Sequence, residues 1–249
     1  MSPALLRAEL TKIRTLRGPL TALALIPLVA VGIGVLNGWS VRDSIETRNP
    51  RLRPDFTAEQ AGFDGVQYAQ LAAIVFGVLV VTAEYGAGTI GVSLLTAPRL
   101  YLAKLGAAVL AVLPAAAVAT VLGTAATQLA LGPHGASLLS PGVPRAMAGA
   151  VVYLALMVLL SAGAATLARN ALVPLAVLLP LVLMGSQILS VIGATAEAAR
   201  YLPDRAGARL LTVRPGPDDL SPAAGLAVLL VWAAAILLAG WAAFRHRDV

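Results

Sequence analysis

Few residues in this chain could do chemistry, and the densest group of them runs from Glu84 to Gly91, EYGAGTIG. Gly86, Gly88 and Gly91 spell the letters of a dinucleotide-binding fingerprint. That fingerprint works where a strand enters the glycines, a helix leaves them, and a second strand brings an acid to the ribose. Here a long apolar run precedes the glycines and another follows about a dozen residues later, so the surroundings that pyrophosphate binding needs are missing. There is no Walker-type phosphate loop, no HExxH pair and no GxSxG elbow. His134 falls in a turn-rich loop and His246 in the C-terminal tail, where each reads as a solvated side chain rather than a ligand. Cysteine is absent, which removes disulfides, thiolate metal sites and cysteine nucleophiles.

The remaining polar groups are scattered through apolar runs: Gln70, Thr82, Thr120, Thr124, Thr127, Gln128, Ser161, Thr166, Ser186 and Gln187. Their ordinary role is hydrogen bonding between membrane helices. The alternative is that Gln128 or Gln187 faces a substrate path.

The elements that carry these residues are set by composition. Apolar residues make up 59% of the 249 and charged residues 12%, and mean hydropathy is +0.85. Soluble domains run near half apolar and a quarter charged, so an all-α integral membrane protein is expected. The formal charge of +6 fits basic segments at an anionic leaflet and argues against nucleic acid as a partner.

Residues 1–18 read as an interfacial helix. Leu6, Leu10 and Ile13 share one face, Arg7, Lys12, Arg14 and Arg17 are basic, and Glu9 can pair with Lys12 at i+3. No small-residue cleavage site stands out before Asn37, so the first span is expected to be retained. A span needs about 20 apolar residues, and six runs qualify or nearly so: 19–36, 66–83, 105–131, 146–168, 171–194 and 222–244. Pro114 is expected to kink the third, and Pro174 and Pro180 interrupt the fifth. Thr57 to Gln60 can form a capping box before span two. Gly34 and Gly38 allow close helix contact. Residues 195–201 and 205–211 read as short helical pieces in a loop. Residues 1–249 form one transmembrane domain.

No charged residue lies inside the spans so drawn. A cytoplasmic N-terminus puts nine of the 18 basic residues inside: Arg7, Lys12, Arg14, Arg17, Arg99, Lys104, Arg169, Arg245 and Arg247. The count is even, but these nine sit in short segments near span ends, where positive charge orients a protein most strongly. Both termini, and residues 84–104, are therefore expected in the cytoplasm.

The stretch between spans two and three carries a resemblance. Glu84-Tyr85-x-x-Gly88-Thr89, Leu94-Leu95, Pro98-Arg99 and Lys104, set in six spans behind a basic helix, resemble the permease subunit of ABC-2 type transporters. The motif covers about twenty residues and the layout covers the chain. The resemblance implies a cytoplasmic coupling helix within 84–104, docking on a separate ABC ATP-binding subunit through Glu84, Tyr85, Gly88, Thr89, Pro98 and Arg99. It implies a permease homodimer or heterodimer in a bacterial inner membrane, with ATP and magnesium held by the partner subunit and no cofactor or catalytic residue here. The family often has a basic or polar residue after the Glu-Tyr pair, where this chain has Gly86 and Ala87.

The function so implied is ATP-driven export. The apolar spans favour a hydrophobic or amphiphilic cargo such as a drug, natural product or lipid. An ion-coupled transporter is disfavoured by the lack of intramembrane charge, and a membrane enzyme by the lack of a nucleophile–base or metal constellation. A non-transporting structural or sensory subunit is the remaining alternative.

Overall fold

The computed structural model describes residues 3–47, 56–83, 98–216 and 219–245. In chain order the helices are α1 (Pro3–Thr15), α2 (Arg17–Glu46), α3 (Ala58–Ala61), α4 (Asp64–Thr82), α5 (Pro98–Leu131), α6 (Val143–Ala168), α7 (Leu172–Pro180), α8 (Ser186–Val191), α9 (Ala196–Ala199), α10 (Pro203–Ala208) and α11 (Pro222–Arg245). No strand occurs among the described residues. Among the described residues six segments are long and apolar enough to cross a membrane, the fifth being α7 and α8 with the turn between them. This is a helical, multi-pass membrane protein, and helices satisfy every backbone group that lipid cannot.

Two spans form the centre. In α4 and in α6, 72% of the most apolar window is buried, against 22–33% in the other four. Their facing side chains, Phe76, Tyr153, Leu154, Met157 and Leu160 among them, are sealed from the surface. On one flank α2 packs against both α4 and α5, and on the other α11 packs against α6. The α2–α5 contact is close because it lacks side chains. A methyl group at Gly34 would sit 2.6 Å from Thr127 Oγ1, and one at Gly38 would sit 2.7 Å from Ala130 Cβ. The small-residue spacing expected to bring helices together does so.

Several boundaries differ from those expected. α2 does not stop at residue 36 but continues to Glu46. Its added turns are polar, and Arg42 pairs with Glu46 at 2.8 Å, an i,i+4 contact that suits an exposed helix end. Thr57 caps α3 as expected, its side chain accepting from the Gln60 amide at 3.3 Å. α5 begins at Pro98, ahead of Leu105. Residues 98–104, assigned to the coupling segment, are thus the first turns of span three, with Pro98 in the starting position that its missing N–H suits.

α6 ends on Arg169, whose φ of 55° turns the chain sharply, and Asn170 Oδ1 accepts from the Val173 amide at 2.9 Å to start α7. The expected interruption by Pro180 takes the form of a π-helical turn, Leu181–Gly185, between α7 and α8.

Two faces expected outside the bundle are in it. Residues 195–211 do form α9, α10 and a 3-10 turn at Arg209–Leu211, but they fold inward. Ala206, Leu210 and Leu211 are buried, and Gly207 lies so close to the Tyr153 ring that a side chain there would overlap it. Ala and Gly make this segment thin enough to press against α6 and α11. The Leu6, Leu10 and Ile13 face of α1 is covered by protein, with Ile13 in the main core.

Candidate functional site

Of the residues assigned to coupling, Glu84, Tyr85, Gly88 and Thr89 lie outside the described residues. Pro98 and Arg99 form the backbone of the first turn of α5. The described structure does show what holds the rim of that segment. Glu9 on α1 is 3% exposed and Lys104 on α5 is 2% exposed. Their ion pair spans 3.0 Å. The other Glu9 oxygen pairs with Lys12 at 2.7 Å, the i+3 contact expected from sequence. Lys104 Nζ also donates to the Val80 carbonyl at 3.4 Å, close to the C-terminus of α4, where the helix dipole favours a cation. One carboxylate and one ammonium thereby join α1, α4 and α5. By pattern Lys104 is a headgroup-level stop between spans; in the fold it is a buried tie inside the third helix.

At the opposite end of the bundle lies a cavity of about 850 Å³. One face of α2 lines it at helical spacing, through Ile33, Asn37, Ser40, Val41 and Ser44. α4 contributes Asp64, Gln67, Tyr68 and Leu71 at the same kind of spacing. Val182 and Leu183 come from the π turn, Gln187 from α8, Arg205 from α10, and Arg209 and Thr212 from the turn after it. Asn37 Nδ2 donates to Asp64 Oδ2 at 2.8 Å, and Arg205 donates to Gln187 Oε1 at 2.9 Å. Arg209 pairs with Asp219 at 2.6 Å.

Behind this lining sits buried polar chemistry. Tyr153 donates a hydrogen bond to Gln70, and Gln70 also lines the cavity. Ser186, fully buried, donates to Asp204 Oδ2. Asp204 is 5% exposed, and its Oδ1 has no partner among the described residues. Burial pushes the Asp204 carboxyl above the ordinary range; the Ser186 hydroxyl, nearby amides and Arg205 offset that in part. The sequence places this acid in a loop. The signal that could have found it is the surrounding small and apolar set Ala199, Ala206, Gly207, Leu210 and Leu211.

The span polar residues sort themselves by geometry. Thr82, Thr120, Thr124, Thr127, Ser161 and Thr166 each bond a carbonyl three or four residues back in their own helix, rather than joining helices. Gln128 fastens the end of α5, donating to the Ala58 carbonyl and accepting from the Ala136 amide, both at 2.8 Å. It faces no path. Gln187 does face the cavity. His134 is exposed in a 3-10 turn, and His246 lies outside the described residues. No three of His, Cys, Asp and Glu gather as metal ligands among the described residues. No family model matches the chain, and no curated protein matches it.

Proposed function

We propose that this chain is the permease subunit of an ATP-driven ABC transporter of the ABC-2 type, exporting an amphiphilic or hydrophobic compound. The segment from Glu84 to Arg99 contacts a separate ATP-binding subunit, which carries ATP and magnesium, while this chain performs no catalysis. Two permease chains assemble, and both termini face the cytoplasm of a bacterial cell. The observation that carries the proposal is the clamp beside that segment. A cytoplasmic lever between spans two and three needs stiff roots, and Glu9–Lys104 ties α1, the end of α4 and the start of α5 together at its exit.

The test is co-purification. The chain should capture a P-loop ATPase whose hydrolysis responds to it, and Glu84→Ala with Arg99→Glu should reduce both capture and transport. Unchanged capture and transport in that double variant would sink the coupling assignment.

A second reading has one observation in its favour. Asp204 is a buried carboxyl with an oxygen unpartnered among the described residues, beside α6, the kind of group that ion-coupled transport uses. Transport that collapses with the proton gradient while ATP is present, and that Asp204→Asn abolishes, would favour it.

A further inference from the structure

We propose that the cavity between α2, α4 and the turn after α10 binds a neutral, hydroxyl-rich group the size of a sugar ring or a disaccharide. This concerns the end of the bundle away from residues 84–97, so it holds whether or not the chain couples to an ATPase.

Three observations carry it. The first is kind and size. A volume of about 850 Å³ lies in the range of small-molecule sites, and voids left by imperfect packing are apolar. Here amides and hydroxyls outnumber charges in the lining, among them Asn37, Ser40, Gln67, Gln70, Gln187 and Thr212.

The second is bonding capacity that the fold does not use. Gln70 is 5% exposed, and its Oε1 accepts from the Tyr153 hydroxyl. Its Nε2 carries two N–H donors with no acceptor among the described residues. Gln67 lies three residues before it on the same side of α4, half-buried, and its amide makes no hydrogen bond among the described residues. On α2, which packs against α4, Asn37 donates to Asp64 through Nδ2 and keeps its Oδ1 acceptor. The Ser40 hydroxyl, again three residues along, has no partner among the described residues. Uncharged donors and acceptors thus alternate over two packed helices. A hydroxyl both donates and accepts, and a ring bearing several of them meets such a wall at every edge.

The third is what surrounds those groups. Arg209 is matched by Asp219 at 2.6 Å, and Asp64 is engaged by Asn37 at 2.8 Å and by a further contact. Arg205 donates to the Gln187 amide oxygen at 2.9 Å, and Asp43 is exposed. An anion would share the volume with Asp43 and a cation would share it with Arg205; a neutral group meets no like charge. Phe56 and Tyr68 also line the cavity, and their ring faces, which carry partial negative charge, suit the C–H side of a sugar.

The experiment is calorimetric titration of the full chain in phosphatidylcholine nanodiscs. The neutral probes are glucose, galactose, maltose and myo-inositol; the charged ones are inorganic phosphate, ethanolamine and glycerophosphoethanolamine. At least one neutral probe should bind at least about tenfold more tightly than any charged one. Gln67→Leu should weaken that binding about tenfold and Tyr68→Ala about threefold. Adding glucosyl-diacylglycerol to the discs separates the sources of the chemistry. It competes with the soluble probe if a glycolipid headgroup is the occupant, and leaves the titration unchanged if a free sugar or polyol is. Failure of every neutral probe to bind, with the cavity holding water only, overturns the proposal. So does equal or tighter binding of a charged probe, and so does undiminished affinity in Gln67→Leu. Should that variant fail to fold, the Ser40→Ala and Tyr68→Ala titrations decide the same question, and wild-type affinity in both overturns the proposal.

Discussion

The two ends of this bundle handle charge in opposite ways. Beside residues 84–97, Glu9, Lys12 and Lys104 are drawn together, and the two at the centre are sealed from the surface. At the far end, Asp43, Asp64, Arg205 and Arg209 line a cavity, and among the described residues no ion pair joins these acids to these arginines. A buried pair with both partners present holds elements in one arrangement. One end is a closed charge cluster and the other a polar cavity, within one set of spans.

The largest expected effect breaks the closed end. Lys104→Met leaves Glu9 without its buried partner and should destabilise the chain by about 3–5 kcal/mol. Adding Glu9→Gln should recover much of that, because no buried charge is then stranded. Thermal unfolding in detergent reads both, and additive losses would show that the two residues do not act as a pair.

An intermediate effect lies under the cavity. Tyr153→Phe removes the hydroxyl that donates to Gln70 and should cost about 1–3 kcal/mol by leaving a buried amide oxygen unpaired. If the melting temperature holds, the Tyr153–Gln70 bond is not part of the cavity floor.

The smallest effect sharpens the contrast by pH. Asp204 lies outside the six apolar helices, and burial lifts its carboxyl above the ordinary 3.8. A raised carboxyl stabilises the fold fully below that ordinary value and loses the contribution as pH rises through the folded value. Wild type should therefore lose stability relative to Asp204→Asn across the pH window that opens above that ordinary value. Parallel melting curves across that window would count against a buried, proton-holding Asp204.

Much of the frame is readable from local pattern. Apolar run length locates the spans, and Thr57 with Gln60 locates the short helix before α4. The Glu9–Lys12 pair follows from spacing on one helix turn. What escapes are contacts between distant residues. Nothing local marks Lys104 as the partner of Glu9, since a lysine at the edge of an apolar run looks like a headgroup anchor. Asp204 is hidden differently. It falls just before residues 205–211, which read as a short helical piece in a loop, while the Tyr153 ring that presses on Gly207 is supplied by α6. The cavity combines faces of α2 and α4 with a segment far along the chain, so no single periodicity announces it. The residues assigned to coupling, Glu84 to Thr89, lie outside the described residues and rest on resemblance alone.

The π turn at Leu181–Gly185 acts as a phase shifter. Each residue along a helix advances the side-chain direction by about 100°, and a wide turn amounts to one inserted residue. Everything after it is therefore rotated relative to α7, and this rotation aims Ser186 at Asp204 and Gln187 at Arg205. A one-residue deletion between Leu181 and Gly185 would keep the hydrophobicity and nearly the full length of the fifth span. It would turn both of those side chains away from their partners. The setting of the cavity wall is thus carried by a residue count as well as by its side chains, which makes it sensitive to insertions and deletions there.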